Sequence, residues 1–266
     1  MLSSPLFRPR RPQQQSLRQE YAEFLEQRIE EYKEQLSRED LLAIADEAVR
    51  ELEMASEEQL VLTEVLVLEH VDRLITQRLD LPSFRKWRNR HVKLRHAQRD
   101  PSYWGMKSRD PVAKLAPRLD ETHSALVLGE DATPAAMLLA ACDWQVLFVD
   151  PTLAAVELVE KLAATEGLAS RIQALVVQLG KWFPEARPSL VVFDPKVLSD
   201  LDAPSRVRML DALKQMTSRG GIHCFLATQP SDDGSLAPAV VRAHYSDWAT
   251  HHRSTEFPDC FLSTKP

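Results

Sequence analysis

Apolar positions along the first hundred residues recur at helical spacing. Leu17, Tyr21, Phe24, Leu25, Ile29, Tyr32 and Leu36 lie three or four apart over residues 16–36, opposite a charged face. Ser37 with Asp40 has the form of a capping box, with Asp in place of Glu, and predicts a second helix through Leu41, Ile44, Ala45, Ala48, Val49 and Leu52. Ser56 and Gln59 repeat the signal ahead of a third helix carrying Leu60 to Leu62, Val65 to Leu68, Val71, Leu74 and Ile75. That helix is apolar around most of its girth, so it is expected at the centre of a small bundle. Pro82 or Ser83 opens a fourth helix. No glycine occurs before Gly105, as a helical first third requires.

The pattern changes after residue 121. Ala125 to Leu128 is a short apolar run stopped by Gly129, Pro134 opens a helical run to Cys142, and Gln145 to Val149 is a second apolar run stopped by Asp150. Uninterrupted apolar strands around a helix are what a parallel sheet covered on both faces needs. The alternation continues with a helix over 153–168, strands at Ile172 to Leu179 and Ser189 to Phe193, a helix over 204–219, a strand from Ile222 after Gly220-Gly221, and a short helix near 237–246. Two short runs joined by Phe257-Pro258-Asp259 close the chain as a hairpin. The expected architecture is α/β: an N-terminal helical bundle, then a doubly wound, mostly parallel seven-stranded Rossmann-like sheet with an antiparallel C-terminal hairpin. The divisions are a basic disordered arm (1–15), a helical domain (16–100), a linker (101–121) and the α/β domain (122–266).

Composition narrows the class. A hydrophobic fraction of 44% and a charged fraction of 27% are ordinary for a globular chain. No run reaches the ~20 apolar residues of a membrane span, and the N-terminus has no signal-peptide core. Cys142, Cys224 and Cys260 fit neither a disulfide framework nor a paired metal motif, so a cytoplasmic location is expected. His244, His251, His252 and Cys260 are irregularly spaced, and no metal is expected. Phosphate-loop and nucleophile-elbow motifs are absent.

The net charge of −6 hides strong segregation. Residues 84–99 carry Arg85, Lys86, Arg88, Arg90, Lys93, Arg95 and Arg99 with no acid, while residues 16–60 hold fourteen acids and five bases. The helix is either a contact for polyanion phosphates, nucleic acid included, or a solvated face balanced by the acidic helices. Tyr103 and Trp104 read as docking groups or as a ligand cover.

An acid about 20 residues beyond a turn glycine is spaced to reach a nucleoside ribose. In Gly129-Glu130-Asp131-Ala132-Thr133-Pro134, Asp131 and Thr133 stand where a glycine-rich loop would carry its later glycines. With Asp150 after the second strand, Asp194 after the fourth, Gly220-Gly221 before the fifth and the closing hairpin, residues 122–266 resemble a class I S-adenosylmethionine-dependent methyltransferase domain. The resemblance implies that Gly129, Asp131 and their loop hold the methionine part of the cofactor, that Asp150 binds the ribose, and that Gln178 and Leu179 lie by the adenine. It also implies that Asp194 faces the transferring methyl. Asp194-Pro195-Lys196-Val197 lacks the second proline and the aromatic of the amine-methylating motif. Asp150, Asp131 and Asp194 can equally serve as local caps. The implied activities are methyl transfer to a macromolecule recognised by the helical domain, or a scaffold that retains the fold without the chemistry.

Overall fold

A computed structural model describes residues 16–55, 64–117, 124–182, 184–194, 196–226, 238–251 and 260–266. The chain divides into two compact units, one ending at Leu94 and the other starting at Arg95.

The first unit contains α1 (Leu17–Gln35), α2 (Arg38–Ala55), α3 (Glu64–Arg78) and the larger part of α4 (Phe84–Gln98). Ser16 and Gln19 form a reciprocal capping box at α1. At α2, Ser37 Oγ accepts from the Asp40 N–H (3.1 Å), the first half of the predicted capping box, and donates to Asp40 Oδ2 (2.6 Å) in place of the reciprocal backbone bond. The core is Ile29, Ile44, Ala48, Val71, Leu74 and Ile75, flanked by Leu25, Tyr32, Leu36 and Val67. Only one face of α3 is used: Val65 and Leu68 remain 63% and 54% exposed, unlike the all-round burial expected of a central helix. The sequence signal at Ser56 to Leu62, like the basic arm, lies outside the described residues. A second contact is aromatic: Tyr21 and Phe24 of α1 pack on Trp87 of α4 at ring distances of 5.4 and 6.1 Å, and the Tyr21 hydroxyl donates to Pro82 O (2.9 Å).

The second unit is a seven-stranded sheet of order β3-β2-β1-β4-β5-β7-β6. Its strands are β1 (Ser124–Leu128), β2 (Gln145–Asp150), β3 (Ile172–Val176), β4 (Leu190–Phe193), β5 (Ile222–Phe225), β6 (Ala249–His251) and β7 (Phe261–Thr264). β1 to β5 pair in parallel, and β7 is antiparallel to both β5 and β6, as expected from the terminal pair of apolar runs. Around it lie α5 (Pro111–Leu115), α6 (Thr133–Ala141), α7 (Leu153–Thr165), α8 (Lys196–Ser199), α9 (Ala203–Met216) and α10 (Pro238–Ala243). β1 and β4 are buried at every position, which is why they read as uninterrupted apolar runs. Nearly all of α6 is buried as well.

Residues 101–117, read from their turn-rich composition as a linker, are built into this unit. Val112, Ala113 and Leu115 of α5, with Ala116 just after it, join the core with Met137 and Trp144, and Trp104 packs beside them. Trp104 Nε1 donates to Gln98 O (2.7 Å), and Tyr103 donates to Glu166 (2.9 Å), so these aromatics dock. Among the described residues the three cysteines are free thiols, and no helix is long and apolar enough to cross a membrane.

Candidate functional site

The strand order reverses between β1 and β4, and in an open parallel sheet ligands bind outside the carboxyl ends of the strands at that point. The register aligns Leu128 with Val149 and with Phe193, so Gly129, Asp150 and Asp194 emerge together at one edge of the sheet. The Gly129 N–H donates to Val149 O (3.1 Å), and the Asp194 N–H donates to Leu128 O (2.8 Å).

Gly129 has φ +95°. A Cβ built there would lie 2.5 Å from Val197 Cγ2 and 2.6 Å from Asp194 Cβ. The glycine is therefore required twice, by backbone conformation and by the close approach of the β4–α8 turn. What occupies the space of the missing side chain is the protein itself.

Asp194 is 4% exposed. Its Oδ1 accepts from the Lys196 N–H (2.9 Å) and its Oδ2 from the Asp131 N–H (3.4 Å), so this carboxylate ties the β4 turn to the β1 loop. Burial pushes the carboxyl above the usual range, the Lys196 N–H draws it back, and the nearby charge of Asp131 adds to the rise. Asp131 is exposed and forms an ion pair with Lys196 Nζ at 2.5 Å, which raises the lysine pKa. α6 begins without a side-chain cap, and Thr133 Oγ1 is buried with no hydrogen-bond partner among the described residues.

Asp150 is also 4% exposed. Its Oδ1 accepts from the Thr152 N–H (2.8 Å) and hydroxyl (2.6 Å), closing the turn into α7. Oδ2 has no hydrogen-bond partner among the described residues. The local role the sequence allows for Asp150 thus takes one oxygen and leaves the other. Thr152 was not singled out in the sequence, although Asp-x-Thr ahead of an apolar helical run is a recognisable turn pattern.

Gln178 lies beyond β3 with its side chain exposed, and its carbonyl accepts from Lys181 (3.1 Å). Leu179 is 7% exposed and belongs to the core cluster with Val177, Val191 and Phe193. In the basic segment, Arg85, Lys86, Arg88, Arg90 and Lys93 are exposed. Arg95 is half-buried, and Arg99 is engaged by Asp143 (2.6 Å) and Ala141 O (3.2 Å). Among the described residues no cluster of three or more His, Cys, Asp or Glu could hold a metal ion.

No protein-family model and no curated protein matches the chain. Solved structures similar to it include an O-methyltransferase family protein from Burkholderia thailandensis, 15% identical, with a TM-score of 0.46 over 58% of this chain and 55% of its own. The N-methyltransferase NodS from Bradyrhizobium japonicum WM9, in complex with S-adenosylhomocysteine, is 16% identical at TM-score 0.44 over 67% of this chain and 87% of its own. The glycopeptide N-methyltransferase MtfA, complexed with the same compound, is 13% identical at 0.48 over 60% and 90%. The chain spans about 55% of the length of the first of these. The likeness is one of fold. The strand order, parallel from β1 to β5 with β7 antiparallel, is the doubly wound α/β architecture with a terminal hairpin that the sequence predicts.

Proposed function

We propose that this chain is an S-adenosylmethionine-binding, methyltransferase-like protein that acts on a macromolecule recognised by its helical unit. The observation that carries the reading is Asp150. It stands at the carboxyl end of β2, next to the strand-order reversal, with one oxygen holding its own turn and the other without a hydrogen bond among the described residues. A carboxylate oxygen there is suited to accept from the ribose hydroxyls of a nucleoside. Thr133 Oγ1, at the start of α6 just after the β1 loop, is a second buried polar atom with no described partner. These two atoms fit the group.

Bound cofactor would supply an electrophilic methyl. The chain's part is to hold, orient and shield it. Asp150 would hold the nucleoside end, Gly129 to Thr133 the amino-acid end, and Gln178 would line the nucleobase side, with Leu179 supporting it from the core. Asp194, already accepting from two backbone N–H groups, acts by fixing the loops.

A second reading, a scaffold without cofactor, is favoured by one arrangement. The β4 turn is packed on Gly129, and the Asp131–Lys196 pair joins the two loops at the same edge.

Thermal unfolding with S-adenosylhomocysteine separates the two. A ligand that binds only the folded state stabilises it by about 2.7 kcal/mol at a hundredfold excess over Kd. A Tm that rises with ligand, and does not rise in Asp150→Asn, supports cofactor binding. A flat Tm up to millimolar ligand supports the scaffold.

A further inference from the structure

The solvent face of α4 is a row of cations that the protein's own acids leave alone. Arg85, Lys86, Arg88, Arg90 and Lys93 are all exposed, and among the described residues none is joined to a carboxylate by a hydrogen bond or ion pair. Six acids of the helical unit pair with other cations. Glu20 pairs with His91 (3.0 Å), Glu31 with Arg28 (2.8 Å), Glu30 and Asp72 with Lys33 (2.8 and 2.9 Å), Glu51 with Arg73 (3.2 Å), and Glu47 with Arg78. None of these six described pairs reaches the five cations of α4.

Helix geometry arranges the five. Lys86, Arg90 and Lys93 follow i, i+4, i+7 and form one row. Arg85 and Arg88 form a second row on the other flank of the exposed Asn89. The aromatic side chains of the helix are already engaged, with Phe84 and Trp87 packed on Tyr21 at 5.4 Å each, while the smaller Val92 and Leu94 stay 52% and 38% exposed. A lipid surface would need the aromatic side free. An acidic protein partner would be expected to find an exposed aromatic anchor between the charges, and the position between the rows holds Asn89 instead.

We propose that α4 binds the phosphate backbone of double-stranded DNA. A helix about 10–12 Å across fits the ~12 Å major groove, where phosphates line both walls and a polar side chain between two cation rows faces the base edges. Lys86 to Lys93 spans about 10 Å, the length of roughly three phosphates on one strand. The deep, narrow major groove of duplex RNA does not admit such a helix. This inference stands whether or not the α/β unit binds cofactor.

The test is fluorescence anisotropy of a labelled 20-base-pair DNA duplex with the full-length protein, at several salt concentrations. The expected result is micromolar binding at 50 mM salt, with log affinity falling against log salt at a slope of about −4, close to 0.9 per neutralised phosphate. In Arg88→Ala/Arg90→Ala/Lys93→Ala, affinity should fall at least tenfold and the slope should flatten by roughly two to three. All three positions are exposed and alanine favours helix, so an unchanged far-ultraviolet circular dichroism spectrum is expected. No binding at 50 mM salt, an affinity that ignores salt, or an unchanged affinity in the triple variant overturns the proposal. So does a preference for duplex RNA, single strands or polyglutamate over the DNA duplex.

Discussion

Lys196 Nζ lies 2.5 Å from Asp131 Oδ2, and this pair joins the turn after β4 to the loop after β1 at the edge where the sheet order reverses. Both side chains are mostly exposed, at 62% and 57%. Exposed pairs contribute about 0–1 kcal/mol, so the pair is a weak fastener placed where a cofactor would enter. Lys196→Ala is expected to leave the denaturation midpoint nearly unchanged and to raise affinity for S-adenosylhomocysteine several-fold by freeing the Asp131 loop. Paired urea titrations and calorimetry check this. A lower affinity in Lys196→Ala would show that the lysine helps binding rather than restrains it.

Gly129→Ala tests the closeness of the two loops. The residue sits at φ +95°, and an added Cβ would collide with Val197 and Asp194. Backbone strain alone costs about 1–3 kcal/mol, and displacement of the β4 turn adds to it. The expected outcome is a loss of more than ~2 kcal/mol in urea unfolding. A variant as stable as the parent would mean that the turn yields freely.

Away from the edge, His223 sets a pH dependence. It is fully buried between Thr217 and Tyr245. Thr217 Oγ1 donates to Leu213 O (2.6 Å), so it accepts from His223 Nε2–H (2.7 Å), and Nδ1 accepts from the Tyr245 hydroxyl (2.7 Å). The ring is therefore neutral with both nitrogens satisfied. Burial, with smaller contributions from Lys265 and Lys214, pushes its pKa down from 6.5 to about 3. The unfolded chain binds the extra proton between those values. This contribution is present above about pH 6.5 and is lost as pH falls towards 3, at up to ~1.4 kcal/mol per unit. Asp194, with its carboxyl pushed up, works in the opposite sense, so the signature is a difference between variants. His223→Leu should flatten the slope of stability against pH between 6 and 4 relative to the parent. Parallel slopes would contradict the burial of a neutral ring.

Tyr245→Phe removes the donor to His223 Nδ1 and leaves a buried acceptor unmatched, at a cost of about 1–3 kcal/mol. Chemical denaturation at pH 7 measures it, and a change below ~0.5 kcal/mol would mean that the ring finds another donor.

The centre of the sheet was legible because β1, β2 and β4 are buried on both faces. Ala125 to Leu128, Gln145 to Val149 and Leu190 to Phe193 read as continuous apolar runs for the same reason that they pair in parallel. The edge residues Gly129, Asp150 and Asp194 were legible from their positions after those runs. Three things were not. α5 carries only five residues, too few for a period, so its burial could not be seen beneath turn-forming neighbours. Leu179 follows the last β3 residue by three, and nothing in its local pattern distinguishes a core leucine from one that lines a ligand. The Asp131–Lys196 and Gly129–Asp194 contacts join residues 65 apart, which no local spacing encodes.

Isothermal calorimetry of the full chain with S-adenosylmethionine, beside Asp150→Asn, measures directly whether Asp150 holds a cofactor. The substitution keeps an oxygen for Thr152 and replaces the unengaged oxygen with a donor. Losing a charge-assisted hydrogen bond is worth about 1.5–3 kcal/mol, so micromolar binding should weaken at least tenfold in the variant. No heat at millimolar cofactor in the parent, or equal affinity in both proteins, would contradict the account.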